Sequence, residues 1–224
     1  LGELNSKSLI RHKPRSFALD DVVPVEGLKS MQRIQLEDGG LILFDECFFE
    51  PDVAQGYFKA IESECQWEQK PGIFGHMQPR LIASCGDPGV SYKYSGVVNV
   101  ASDWTATLLQ IKTQIEAVCI DGQQALYNYC LLNLYRNGQD SMGWHADDEP
   151  EMGHVIGSVS LGAPRKFRIR HNASRRTEDF VLGHGSLLIM AGNMQQHWQH
   201  EVPKTKRPVG KRINLTYRMI HQWI

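Results

Sequence analysis

The densest chemistry in the chain lies in WHADDE, Trp144 to Glu149, where His145 and Asp147 stand two residues apart. In extended chain, residues i and i+2 point to one face, so an imidazole and a carboxylate converge there. With one further histidine they make the two-His-one-carboxylate set that holds non-haem Fe(II) and leaves positions open for a cosubstrate and O2. HxD alone is a weak signal, because the chain has 9 histidines and a solvated loop pair gives the same pattern. The far end of the chain strengthens it. HWQHEVP offers His197 and His200 as third ligands, and the strand-like RINLTYR follows. Arg212, Asn214 and Arg218 share even parity there, so an ordinary strand presents all three to one side. Two guanidiniums on the inner face of a β-barrel are costly unless anions meet them, and a dicarboxylate would satisfy both. The competing reading is a pair of structural arginine–carboxylate bridges.

The elements that must position these groups are legible in the apolar pattern. Residues 1–40 carry scattered charge and no sustained period, and read as an arm wrapped on the body. Leu41 to Phe49 reads as a strand by content. Pro51 opens a helix expected to run to Trp67, with Val53, Tyr57, Phe58 and Ile61 at helical spacing. A second helix fits Trp104 to Val118, with Leu108, Ile111, Ile115 and Val118 on one face and Ser102 or Asp103 as its cap. From Ala125 onward, short β-rich runs follow one another (ALYNYCLLNLY, HVIGSVSL, RKFRIRH, DFVLGHGSLLIM, RINLTYRMI) with turn residues between them. That pattern indicates a sandwich or barrel. No internal repeat or low-complexity linker divides the chain, so one domain with two helices packed on a β-rich half is expected.

Composition bounds the function. A chain of 224 residues with net charge -1 is neither a histone-like polycation nor an acidic disordered tail. No run of 18 uncharged apolar residues predicts a membrane span, and the first residues lack the pattern of a secretory leader. The 5 cysteines are widely spaced and odd in number, which predicts reduced apolar fillers in an intracellular protein, cytoplasmic or nuclear. The near-neutral total hides an asymmetry: residues 164–218 hold 12 Lys/Arg against 3 Asp/Glu. In RKFRIRH, alternation places Lys166, Arg168 and Arg170 on one face, which could track phosphates or simply be a solvated sheet face.

In this order and spacing, NLYRNG, WHADDE, GSVSLGAPRKFRIRH, GHGSLLIM, HWQHEVP and RINLTYR resemble the AlkB family of Fe(II)- and 2-oxoglutarate-dependent nucleic-acid dealkylases. The resemblance covers most of residues 41–220 and is far more specific than HxD. It implies an α+β fold with a double-stranded β-helix (jelly-roll) core, two buttressing helices and a nucleotide-recognition lid. Within a single dioxygenase domain, 41–224, the lid would span about 71–96 and the catalytic core about 125–220. It implies His145, Asp147 and His200 as iron ligands, with His200 preferred over His197 because it stands just before the x-Val-Pro step. Asn133, Tyr135, Arg212, Asn214 and Arg218 would hold 2-oxoglutarate; Asn133 and Tyr135, two apart, face one way.

The implied activity is oxidative demethylation of 1-methyladenine and 3-methylcytosine in DNA, with RNA as a second substrate class, releasing formaldehyde, succinate and CO2. A base stacked in a duplex cannot reach such a site, so it must be flipped out or already unpaired. Tyr94 matches the position that stacks on the base opposite His145, Tyr92 is a second pocket residue, and Phe74 matches a wedge that fills the gap left by flipping. Glu149 would accept a hydrogen bond from the exocyclic amine of the lesion, and Arg168 would meet phosphate. A monomer is expected. The alternatives are the same chemistry on RNA, protein or a small molecule, and a catalytically inactive nucleic-acid-binding module on the same scaffold.

Overall fold

The computed structural model describes residues 22–25, 28–72, 75–94 and 97–221, and for 22–30 and 92–99 it gives at most the backbone path. Strands β1 (Val22–Val25), β2 (Leu28–Gln35) and β3 (Gly40–Asp45) lead into helix α1 (Pro51–Glu64). Strands β4 (Leu81–Gly86), β5 (Ser91–Tyr94), β6 (Val97–Val100) and the short β7 (Ser102–Asp103) precede α2 (Ala106–Glu116). A small hairpin, β8 (Cys119–Ile120) and β9 (Gln123–Gln124), gives way to β10 (Tyr129–Tyr135), β11 (Met142–His145) and β12 (Ile156–Gly162). Then come β13 (Arg165–His171), β14 (Thr177–Leu182), β15 (Ser186–Gly192), the single-turn α3 (Met194–His197), β16 (Trp198–Val202) and β17 (Arg212–Arg218).

One sheet runs β1-β2-β3-β15-β12-β17-β10-β4-β7 and a second runs β11-β16-β13-β14. From β10 onward the chain steps back and forth between the two sheets, which is the winding of a jelly roll. Strand alternation then sorts the side chains into two cores. Cys130, Leu132 and Leu134 of β10 and Ile213, Leu215 and Tyr217 of β17 face α1 and α2, meeting Ile61, Leu108, Ile111 and Ile115. The opposite faces look into the space between the sheets, where Tyr129, Leu131, Tyr135, Phe167, Ile169, Met190 and Trp198 pack. Burying each large aliphatic side chain of α2 contributes roughly 1.5–3 kcal/mol, so the helices are held by their apolar stripe. No helix among the described residues is long and apolar enough to cross a membrane.

Several local expectations need correction. The segment before Leu41, read as an arm wrapped on the body, joins the larger sheet where it is described: β2 pairs with β3, and Met31, Ile34 and Leu36 are buried. The strand expected to reach Phe49 stops at Asp45, whose carboxylate accepts the Cys47 N–H at 2.9 Å and turns the chain. Helix α1 ends at Glu64 instead of Trp67, and Val53 is 46% exposed while Ala54 and Ile61 are fully buried. The buried stripe therefore runs 54, 57, 58, 61, one position away from Val53. Thr105 caps α2, accepting from Leu108 N at 3.2 Å. Ser102 and Asp103 cannot cap it because they are engaged beside β4 as β7.

Candidate metal and cosubstrate site

The site lies between the two sheets. On the smaller sheet, His145 of β11 is the direct partner of His200 of β16, and their rings stand 4.1 Å apart. Asp147 follows two residues after His145 and is buried between them. Its Oδ1 is 3.9 Å from His145 Nε2, and its Oδ2 is 3.9 Å from His200 Nε2. One ligand atom from each of the three residues falls within 4.8 Å of the others. His145 Nδ1 lies 2.8 Å from Gly143 O, so that nitrogen carries the proton and leaves Nε2 with its lone pair directed to the cluster.

Electrostatics set the protonation states that a cation needs. Burial pushes the Asp147 carboxyl up, but the charges of Arg218, His145 and His200 outweigh it and hold the group well below the carboxylate range. Burial, with the neighbouring His145, brings His200 down to about 3. Burial also lowers His145, against the pull of Asp147. At neutral pH the cluster is one carboxylate and two neutral imidazoles, the form in which these side chains bind metal. Asp147 Oδ1 and His200 Nδ1 are buried without a hydrogen-bond partner among the described residues.

The larger sheet supplies the arginines. Arg212 and Arg218 of β17 are 1% and 2% exposed, and Asn214 lies between them on the same face. Arg218 Nη2 donates to Asp147 Oδ2 at 2.7 Å. Arg212 Nη2 donates to Ser160 Oγ at 2.8 Å and its guanidinium lies 5.2 Å from the centre of the Tyr135 ring. Its Nε and Nη1 are buried with no hydrogen-bond partner among the described residues, and burial brings the group down to about 10. Asn214 Nδ2 donates to Ser158 Oγ and Val159 O, which leaves its amide oxygen for another donor. Asn133, Tyr135, His145, Asp147, His200, Asn214 and Arg218 line one cleft.

The structural arginine–carboxylate reading thus applies to Arg218, which is bonded to Asp147, and not to Arg212. Glu149 lies at the rim of an adjoining cleft shared with Asp147, Asp148 and Gln195. His197 sits on the surface near Asp38, at 4.0 Å, outside the cluster. Phe74 lies outside the described residues, as do the side chains of Tyr92 and Tyr94, whose backbones form β5.

The basic stripe is partly neutralised. Arg165 is a buried brace, donating to the carbonyls of Asn137, Asp140 and Pro203. Lys166 and Arg168 share Asp179, and Arg168 also approaches Glu201 at 3.8 Å. Among the described residues, Lys204, Lys206 and Arg207 make no ion pair, so the positive charge open to an anion collects on that loop.

Two positioning residues escaped sequence reasoning. Gln195 Oε1 accepts the Asp147 backbone N–H at 3.0 Å, and Arg80 Nε, just before β4, donates to Asn133 Oδ1 at 2.7 Å. Ser158 and Ser160 carried a usable signal: both face the site by parity on β12, opposite Thr216 and Asn214.

Residues 33–218 match the 2OG-Fe(II) oxygenase superfamily. A mouse protein named DNA oxidative demethylase ALKBH2 is 37% identical over 210 residues, covering 86% of each chain. A bovine alpha-ketoglutarate-dependent dioxygenase alkB homolog 3 is 37% identical over 183 residues, covering 75% of this chain and 62% of that protein. The solved structure of OsALKBH1 superposes with a TM-score of 0.60 at 16% identity, covering 84% of this chain and 99% of that one, which speaks to the fold.

Proposed function

The chain belongs to the AlkB family within the 2OG-Fe(II) oxygenase superfamily, and from that premise we propose that it removes alkyl groups oxidatively from nucleobases in DNA. The observation that carries the reading is the pairing of a His145–Asp147–His200 cluster with a buried guanidinium, Arg212, that has hydrogen-bonding capacity to spare. A cation suits the first and a carboxylate the second. When bound, Fe(II), 2-oxoglutarate and O2 supply the oxidising power to hydroxylate an N-methyl group, with succinate and CO2 as co-products and formaldehyde lost from the base.

The protein's own part is placement. His145 Nε2, His200 and the Asp147 carboxylate would hold the metal, with Gly143 O and Gln195 fixing two of them from behind. Arg212 would take the distal carboxylate of 2-oxoglutarate as a fork, with Tyr135 and Ser160 shaping its seat. Asn133 and Asn214 would contribute hydrogen bonds, and Arg218 would keep Asp147 anionic next to the end that meets the metal. Glu149, at the adjoining rim, would read the exocyclic amine of 1-methyladenine or 3-methylcytosine. Tyr94, Tyr92 and Phe74 belong to the lid that would receive the flipped base. Arg168, already paired with Asp179 and Glu201, would be a weak phosphate contact. The loop of Lys204, Lys206 and Arg207 is better disposed, and a monomer suffices for every role named.

The test is a panel of oligonucleotides carrying one 1-methyladenine or 3-methylcytosine, as single- and double-stranded DNA and as RNA, assayed for formaldehyde and for loss of one methyl by mass. Demethylation of DNA members that requires Fe(II) and 2-oxoglutarate supports the proposal. Turnover of 2-oxoglutarate with none of them demethylated overturns it.

A further inference from the structure

Beyond β17, residues Met219–His221 run between two partners. On one edge, Gly153 N–H donates to Met219 O at 2.8 Å and His221 N–H donates to Glu151 O at 2.7 Å. These two bonds flank Met152 and Ile220, which face each other as an antiparallel bridge, in the non-hydrogen-bonded position where side chains approach closest. Both side chains are buried in the core between the sheets. On the other edge a side chain stands where a strand would. Asn128 Nδ2 donates to Ile220 O at 2.9 Å, and its Oδ1 accepts the Ile220 N–H at 2.7 Å. Its own backbone N–H donates to Arg218 O at 3.0 Å. One carboxamide thus satisfies both the N–H and the C=O of Ile220, as a neighbouring strand does in a sheet.

Met152 also ends a tight turn. Its N–H donates to Glu149 O at 2.9 Å, with Pro150 at the second position. Upstream, Gln195 fixes the Asp147 N–H. Asp148 and Glu149 are therefore suspended between two anchors, Asp147 and Met152, along a cleft of about 130 Å³. We propose that Met219–His221 is a strap that fixes the Glu149 turn, and that Asn128, which clasps the strap, is a positioning residue for base recognition. The proposal rests on Glu149 reading the exocyclic amine of the lesion. Asn128 acts through Ile220 and Met152 to hold that carboxylate where the amine arrives. Without the clasp, the N–H and C=O of Ile220 lose their partners and the bridge to Met152 loosens. The turn then gains freedom that base binding must remove. The metal cluster is held separately, by Gln195 and Gly143 O, and should not feel the change.

The test uses the full chain with Fe(II) and 2-oxoglutarate on a single-stranded oligonucleotide carrying one 1-methyladenine. Asn128→Ala should raise KM by about 10-fold and leave kcat near the wild-type value, the pattern of lost ground-state binding. Amide exchange at 148–153 should quicken severalfold while β12 keeps its protection and the Co(II) Kd stays unchanged. Asn128→Asp keeps the acceptor for the Ile220 N–H and should give the same split at smaller size, so the test survives an alanine variant that folds poorly. Glu149→Ala separates this route from general loosening: if Asn128 acts through Glu149, the double variant has the KM of Glu149→Ala alone. Wild-type exchange at 148–153 in the Asn128 variants overturns the proposal, as does a double variant whose KM increase is the product of the two single ones. If Glu149→Ala by itself leaves KM unaltered, the reading of Glu149 falls, and the strap's role in base recognition falls with it.

Discussion

Replacing Arg212 by methionine should move stability and cosubstrate affinity in opposite directions. The guanidinium is 1% exposed and two of its three nitrogens lack hydrogen-bond partners among the described residues. Burial brings it from 12.5 to about 10, a penalty on the charged form of roughly 3 kcal/mol. Methionine removes that penalty but also the bond to Ser160 and the contact with Tyr135, together worth about 1–2 kcal/mol. The protein without ligands should therefore be unchanged or more stable by up to about 2 kcal/mol, raising Tm by a few degrees. Binding behaves otherwise. Two charge-assisted hydrogen bonds to a carboxylate contribute about 1.5–3 kcal/mol each, so Kd for 2-oxoglutarate should rise by roughly 100-fold or more. Thermal denaturation of the metal-free protein and anaerobic calorimetric titration with 2-oxoglutarate and Fe(II) measure the two effects. A variant that loses several kcal/mol of stability yet binds 2-oxoglutarate normally would show that Arg212 is a structural brace and refute the reasoning.

Three further outcomes follow from the geometry. Gln195→Ala frees the Asp147 backbone and should weaken metal binding by about 10–100-fold without changing the fold, read by anaerobic Co(II) titration; an unchanged Kd contradicts the positioning role. Burial pushes the Asp140 carboxyl up, but hydrogen bonds from Arg136 and the charges of Arg136 and Arg165 hold it below its ordinary value. A depressed carboxyl contributes its stability above the unfolded value near ~3.9 and loses it as pH falls through the lower folded value. Asp140→Asn should therefore destabilise by about 1–3 kcal/mol at neutral pH, with the gap closing in acid; denaturant midpoints that differ equally at both pH values oppose this. Gly185 has φ +83°, and a Cβ there would stand 2.3 Å from Phe49 O. Gly185→Ala should lose at least about 2 kcal/mol by urea denaturation, and an unaltered midpoint would mean the loop yields freely.

What could be read from the sequence was local. Parity on β17 is a property of seven consecutive residues, so Arg212, Asn214 and Arg218 were assignable to one face without knowing the fold. The same held for the stripe of Leu108, Ile111 and Ile115 on α2. What escaped were choices settled by distant neighbours. Arg165 belonged to a basic run, yet three carbonyls from two other segments bury it. Arg168 looked available until Asp179 arrived on the adjacent strand β14. Thr105 outcompeted two better-known capping residues because β4 had recruited them. Gln195 and Arg80 touch the site only through residues far along the chain, so no spacing rule could select them.

The most direct measurement of the central claim is stoichiometric: a DNA duplex with one 1-methyladenine, incubated with the protein, Fe(II), 2-oxoglutarate and O2, and assayed for formaldehyde, succinate and repaired base. The account predicts one formaldehyde per methyl lost, at least one succinate for each, and no product from Asp147→Asn or without 2-oxoglutarate. Demethylation that persists in Asp147→Asn, or proceeds without 2-oxoglutarate, would contradict it.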